Sequence, residues 1–183
     1  MDNLKLLALS GSLRAASYNA ASIAAIKAIA ASHIELAVGD IGRLPLFNPD
    51  RENDEIPALD DLKIALNKSD GLIIASPEYA HGISGPLKNA LDWLVSDVGF
   101  PHKPVMLINT SPRAFHAQEA LKEVLTTMSA NIIDGSCVTI PLLGRDIDHS
   151  GIVADRELSA TLKAGLDIFC REIEGLKRHA NVS

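Results

Sequence analysis

Three short runs constrain this chain most: "LKLLALS" at 4–10, "GLIIAS" at 71–76 and "PVMLINTS" at 104–111. Each is almost continuously apolar over the length of a strand and ends in a small polar residue or pair. A strand with one wet face alternates polar and apolar residues. A continuous run belongs to a strand covered on both faces, as in a parallel sheet. "IELAV" at 34–38 and "CVTI" at 137–140 are shorter candidates of the same kind.

Helical patterns fill the gaps. Residues 19–31 are alanine-rich, with Ile23, Ile26 and Ala30 on one stripe. The segment 56–66 groups Leu59, Leu62 and Leu66, and in 85–96 Leu87, Ala90, Leu91 and Leu94 share a face. Ala117, Ala120, Leu121, Val124, Leu125 and Met128 do the same in 116–128, as do Leu158, Leu162, Leu166, Phe169 and Ile173 in 155–176. Strands alternating with helices build right-handed βαβ units with helices on both faces. Five strands predict a flavodoxin-like three-layer sandwich with a parallel sheet of order 2-1-3-4-5. With 183 residues and no linker rich enough to divide them, the chain reads as one domain over 1–183.

Composition excludes several classes. The net charge is −6 and there is no basic stripe, which argues against nucleic acid as a partner. No apolar run reaches the ~18 residues of a membrane span, and no cleavable leader is apparent, so a cytoplasmic protein is expected. Cys137 and Cys170 lack metal or CxxC spacing and read as reduced structural thiols. The six histidines do not pair at ligand spacing, so no metal is expected.

In such sheets ligands sit beyond the carboxyl ends of the strands. The stretches "SGSLRAASYN", "SPEYAHGISG" and "NTSPRAFH" all follow buried strands and should meet at that edge. In the first, Ser10, Ser12 and Ser17 offer hydroxyls, Asn19 an amide and Arg14 a planar cation, all at the start of a helix. Backbone N–H groups there add fixed positive potential, so the loop suits a phosphate. A serine-capped helix beside a surface arginine is the alternative, but four polar groups exceed what one cap needs. Neither GxxxxGK[ST] nor GxGxxG is present, which argues against a P-loop or a dinucleotide fingerprint. Nor is there a GxSxG nucleophile elbow.

"GSLRAASYN" at 11–19 and "PEYAHGISGPLKNALDWL" at 77–94 together resemble the NADPH-dependent FMN reductase family, which includes flavodoxin-like quinone, chromate and azo reductases. The motifs span 27 residues, and the order of the other elements extends the likeness from residue 4 to about 175. The resemblance implies that Ser10, Ser12, Arg14, Ser17 and Asn19 hold the FMN phosphate. It implies that Pro77, Glu78 and Tyr79 line the ribityl chain and flavin ring. The loop 109–116, with Ser111 and Arg113, would reach the other edge of the ring.

It further implies NADPH or NADH as co-substrate, a small-molecule acceptor (quinone, flavin, azo compound or metal oxyanion) and a homodimer or homotetramer. The flavin carries the chemistry, so no side chain is assigned as catalytic acid or base. Two other readings stay open: an FMN-binding electron carrier or redox sensor without turnover, and a sugar- or nucleoside-phosphate enzyme using the same loop.

The sequence departs from the family in two places. Members often carry Asn or His directly after the tyrosine, whereas Ala80 stands here and His81 follows. Many also carry SxGxxGG after the fourth strand. This chain has Ser111-Pro112-Arg113-Ala114-Phe115-His116, which loses the glycines and a backbone donor and gains a cation. Trp93 lies off the apolar stripe of its helix and is either partly packed core or a subunit-interface anchor.

Overall fold

The computed structural model describes residues 3–180. Its strands are β1 (Leu4–Ser10), β2 (Ile34–Gly39), β3 (Gly71–Ala75), β4 (Glu78–Tyr79), β5 (Gly82–Ile83), β6 (Pro104–Asn109), β7 (Asn131–Ile132) and β8 (Val138–Thr139). The helices are α1 (Tyr18–Ile29), α2 (Pro57–Lys68), α3 (Gly85–Leu94), α4 (Phe115–Thr127), α5 (His149–Ala154) and α6 (Arg156–Ala180). β2, β1, β3 and β6 lie side by side, all parallel, and β7 and β8 share the outer edge of β6. This is the flavodoxin-like topology expected, with its fifth strand in two pieces.

Alternation along each strand divides the core. Leu7, Leu9, Leu72, Ile74, Val105 and Leu107 pack against α2, α3 and α4. Leu6, Ala8, Ile73, Ala75, Met106 and Ile108 face α1, α5 and α6. Successive side chains point to opposite faces of a strand, so burial on both faces requires the continuous apolar runs seen in the sequence.

Four local features depart from the sequence reading. The expected strand 137–140 shrinks to β8, and β7 precedes it across a 3-10 turn, Asp134–Ser136. The Ser136 hydroxyl donates to the Ile133 carbonyl at 2.7 Å and closes that turn. The last helix is preceded by α5, because Asp155 leaves the helical path and caps α6 by accepting from the N–H groups of Glu157 and Leu158 at 3.1 Å each. Residues 78–83, to which the sequence reading gave no strand, form the hairpin β4–β5.

Trp93 is core and not an interface anchor. It is 1% exposed, its indole N–H donates to the Pro45 carbonyl at 2.8 Å, and its ring meets Phe47 edge-on at 5.0 Å. Asn89, one turn earlier, donates to the same carbonyl at 2.9 Å and accepts from the Phe47 N–H at 2.7 Å. The long connection after β2 therefore folds back over α3 and covers the flank that looked free.

Candidate active site

The three polar stretches do meet at the carboxyl edge. They enclose a cavity of about 800 Å³ whose wall includes Ser12, Arg14, Ser17, Asn19, Pro77, Glu78, Tyr79, Ser111 and Arg113. Nine of the ten residues singled out in the sequence are thus brought together. Ser10 does not reach the wall. Its hydroxyl donates to the Ser12 carbonyl at 3.2 Å and accepts from the Ser12 N–H at 3.3 Å, so it shapes the loop from behind.

The first loop enters α1 through Ser17, whose hydroxyl oxygen caps the helix by accepting from the Ala20 N–H at 3.3 Å. The side-chain oxygen of Asn19 accepts from the Thr110 hydroxyl at 3.2 Å. Its amide nitrogen is left as a donor, and it stands on the cavity wall. The Ser12 oxygen accepts from the Arg14 N–H at 3.4 Å. No carboxylate belongs to this loop. Hydroxyls, an amide, N–H groups at a helix N-terminus and the Arg14 guanidinium form a cradle suited to a phosphate, not a cation.

The loop is held down on the second motif. Ser84 caps α3 by accepting from the Leu87 N–H at 3.4 Å, and its own hydroxyl donates to the Gly11 carbonyl at 2.5 Å. A Cβ on Gly11 would lie 2.7 Å from Ser76 Oγ and 2.9 Å from Ser84 Oγ. Glycine is required at that crossing by close approach. The latter half of "PEYAHGISGPLKNALDWL" therefore serves structure through Ser84, Asn89 and Trp93, while Pro77, Glu78 and Tyr79 face the cavity.

The third loop is ordered without glycines. Asn109 Oδ1 accepts from the Ser111 N–H at 3.0 Å, and Ser111 Oγ from the Arg113 N–H at 3.3 Å. The Ala114 N–H then donates to the Ser111 carbonyl at 3.0 Å. These local side-chain turns replace the conformations that a glycine-rich run would supply. Arg113 stands exposed on the rim.

Sequence reasoning gave no role to Thr110 or Tyr18, although both lie in the stretches it singled out, and placed no residue of 143–149 in the site. Leu143, Arg145, Asp148 and His149 complete the cavity wall. Tyr18 donates its hydroxyl to the Arg145 carbonyl, and the Arg145 guanidinium pairs with Asp155 at 2.8 Å. Arg145 holds the Asp155 carboxyl below the ordinary range, and the Gly151 N–H does the same for Asp148. The segment's polar composition was visible, but nothing in it specifies where it docks.

Neither cysteine lines the cavity. Burial, with Asp167 and Glu174 adding to it, pushes the Cys170 thiol up to about 11, and burial also raises that of Cys137. Neither is a ready thiolate at neutral pH.

The NADPH-dependent FMN reductase family model matches residues 4–142. An NAD(P)H-dependent FMN reductase of Pseudomonas aeruginosa is 29% identical over 183 residues, covering 95% of this chain and 99% of that one. A quinone reductase of Escherichia coli K12 is 30% identical over 185 residues, covering 96% and 98%. Among solved structures, the flavoenzyme NAD(P)H:acceptor oxidoreductase FerB of Paracoccus denitrificans superposes with a TM-score of 0.74 at 25% identity, over 92% of this chain and 98% of that one. With the two motifs joined at one cavity and a family match across most of its length, the chain belongs to the NADPH-dependent FMN reductase family.

Proposed function

We propose that this protein is an NAD(P)H-dependent flavin oxidoreductase that uses FMN to reduce a quinone-type acceptor. The observation that carries the reading is the donor-rich, carboxylate-free loop at the N-terminus of α1, continuous in one cavity with the Pro77–Tyr79 turn and the 109–113 loop. FMN, when bound, supplies the two-electron chemistry, taking hydride from the nicotinamide nucleotide and passing electrons to the acceptor.

The chain supplies binding and orientation. Arg14 pairs with the phosphate, while Ser12, Ser17, the Asn19 amide and the first free N–H groups of α1 donate to its oxygens. Ser10 and Thr110 support this set by fixing the loop and the Asn19 rotamer. Pro77 and Tyr79 line the approach to the ring, with Ser111 and Arg113 on the opposite rim. The acceptor classes are quinones first, then free flavin, azo compounds or metal oxyanions.

The reading extends to a single FMN-binding domain over 1–183, a cytoplasmic location and a homodimer or homotetramer. Tyr79 and Leu143, both on the cavity wall, are 52% and 56% exposed, which supports a second subunit covering the mouth. Among the described residues, no helix is long and apolar enough to cross a membrane.

Purified protein should be yellow, release FMN on heating and oxidise NADPH or NADH in the presence of a quinone. Release of FAD as the main species would refute the single-phosphate cradle. Bound FMN without nucleotide oxidation would leave an electron carrier or sensor instead. Sedimentation as a 19.5 kDa monomer at working concentration would refute the oligomer.

A further inference from the structure

The turn of the hairpin β4–β5 is built from the wrong residues. Ala80 and His81 both have positive φ, 49° and 60°. Two consecutive left-handed residues make the type I′ turn, which Asn-Gly suits best and which a Cβ opposes. A ladder of two residues per strand cannot hold such a turn alone. Something outside the hairpin must.

Glu78 is the side chain placed to do so. One carboxylate oxygen accepts from the Ala117 N–H of α4 at 2.9 Å, and the other faces His81 Nδ1 at 3.4 Å. The side chain is 15% exposed. The His81 ring meets His116 edge-on at 4.5 Å, and His116 lies tilted against Phe115 at 3.9 Å. α4 has no capping oxygen of its own, because Ala114 occupies the N-cap position. Glu78 provides that cap from the hairpin, where a carboxylate is also favoured by the helix dipole. Glu78 borders the cavity, but both of its carboxylate oxygens are directed at protein groups of α4 and the hairpin turn.

We propose that Glu78 is a positioning residue: by bonding the N-terminus of α4 beside the His81 ring it ties the disfavoured Ala80–His81 turn to that helix, and so sets Tyr79 at the mouth of the cavity. The inference rests on the reading of that cavity as the FMN site. Glu78 acts on the cofactor only through the hairpin. This differs from the family-based expectation that it lines the ring as a contact.

The test compares wild type, Glu78→Ala, Glu78→Gln, and Glu78→Ala combined with Ala80→Asn and His81→Gly. FMN affinity is read by quenching of flavin fluorescence, and backbone protection by hydrogen exchange on protein stripped of flavin. Glu78→Ala should weaken FMN binding about tenfold, the scale of one lost bond to a charged group, and speed exchange across 78–83 and 115–118. Glu78→Gln keeps an oxygen for the Ala117 N–H and should stay near wild type in both readouts.

The Asn-Gly turn should restore affinity in the Glu78→Ala background, because it adopts the conformation unaided. Unchanged exchange in Glu78→Ala would overturn the proposal, as would restored protection of 78–83 without restored affinity, which would make Glu78 a direct contact. A wild type that fails to bind FMN would refute the proposed function, while exchange in 78–83 would still decide whether Glu78 holds the turn.

Discussion

Gly11→Ala tests whether the phosphate cradle depends on the crossing of the first two loops. The added methyl would sit 2.7 Å from Ser76 Oγ, 2.9 Å from Ser84 Oγ and 3.1 Å from Ser76 Cβ. Ser76 is 2% exposed and Ser84 0%, so neither can swing into solvent to make room. Overpacking of this kind costs about 1–3 kcal/mol. Relief by moving Ser84 would break its 2.5 Å bond to the Gly11 carbonyl, adding about 1 kcal/mol.

Together these give about 2–4 kcal/mol, or a fall in Tm of about 4–16 °C for a chain of this size. Ser12 is the next residue, so FMN affinity should fall as well. Gly85→Ala is the internal control, since a Cβ there meets nothing within 4 Å and the position is helical. It should leave Tm unchanged or raise it slightly. Thermal melts and flavin titration of the two variants check the argument. Equal behaviour of Gly11→Ala and Gly85→Ala would refute it.

Three further outcomes are expected. Arg14→Ala should raise the FMN dissociation constant about 30–150-fold, the worth of a charge-assisted bond, without lowering Tm of the flavin-free protein. Arg113 stands on the exposed rim of the cavity. Arg113→Ala should raise KM for NADPH about tenfold and leave KM for NADH unchanged, as expected for a lost contact to the 2′-phosphate. A lowered flavin potential instead would place the cation at the ring, and no change in either would leave it facing solvent. Asp155 has a folded pKa below its ordinary 3.8, so its tie to Arg145 contributes above that value and is lost as pH falls through the lowered one. Hydrogen exchange in 143–149 should therefore quicken below pH about 4 before the sheet loses protection.

The layered fold was legible in the sequence because it rests on local pattern. A strand buried on both faces must be apolar at every position, and a helix on one face must repeat at 3.6 residues, so β1, β3, β6 and their helices could be read directly. The cradle was legible for a related reason. Its donors lie within ten residues at one strand–helix junction, where the chain itself brings them together. The remaining features depend on partners far away in sequence. Asn19 is oriented by Thr110 from 91 positions on, Glu78 is drawn to Ala117 across 39, and Tyr18 holds Arg145 across 127. Trp93 is buried by the Pro45–Phe47 segment, 48 residues before it for the Pro45 contact. Periodicity records which face a residue occupies, but not which loop will cover that face. Tertiary packing alone closed the wall at 143–149 and set Glu78 on α4, because each depends on a partner that local sequence does not name.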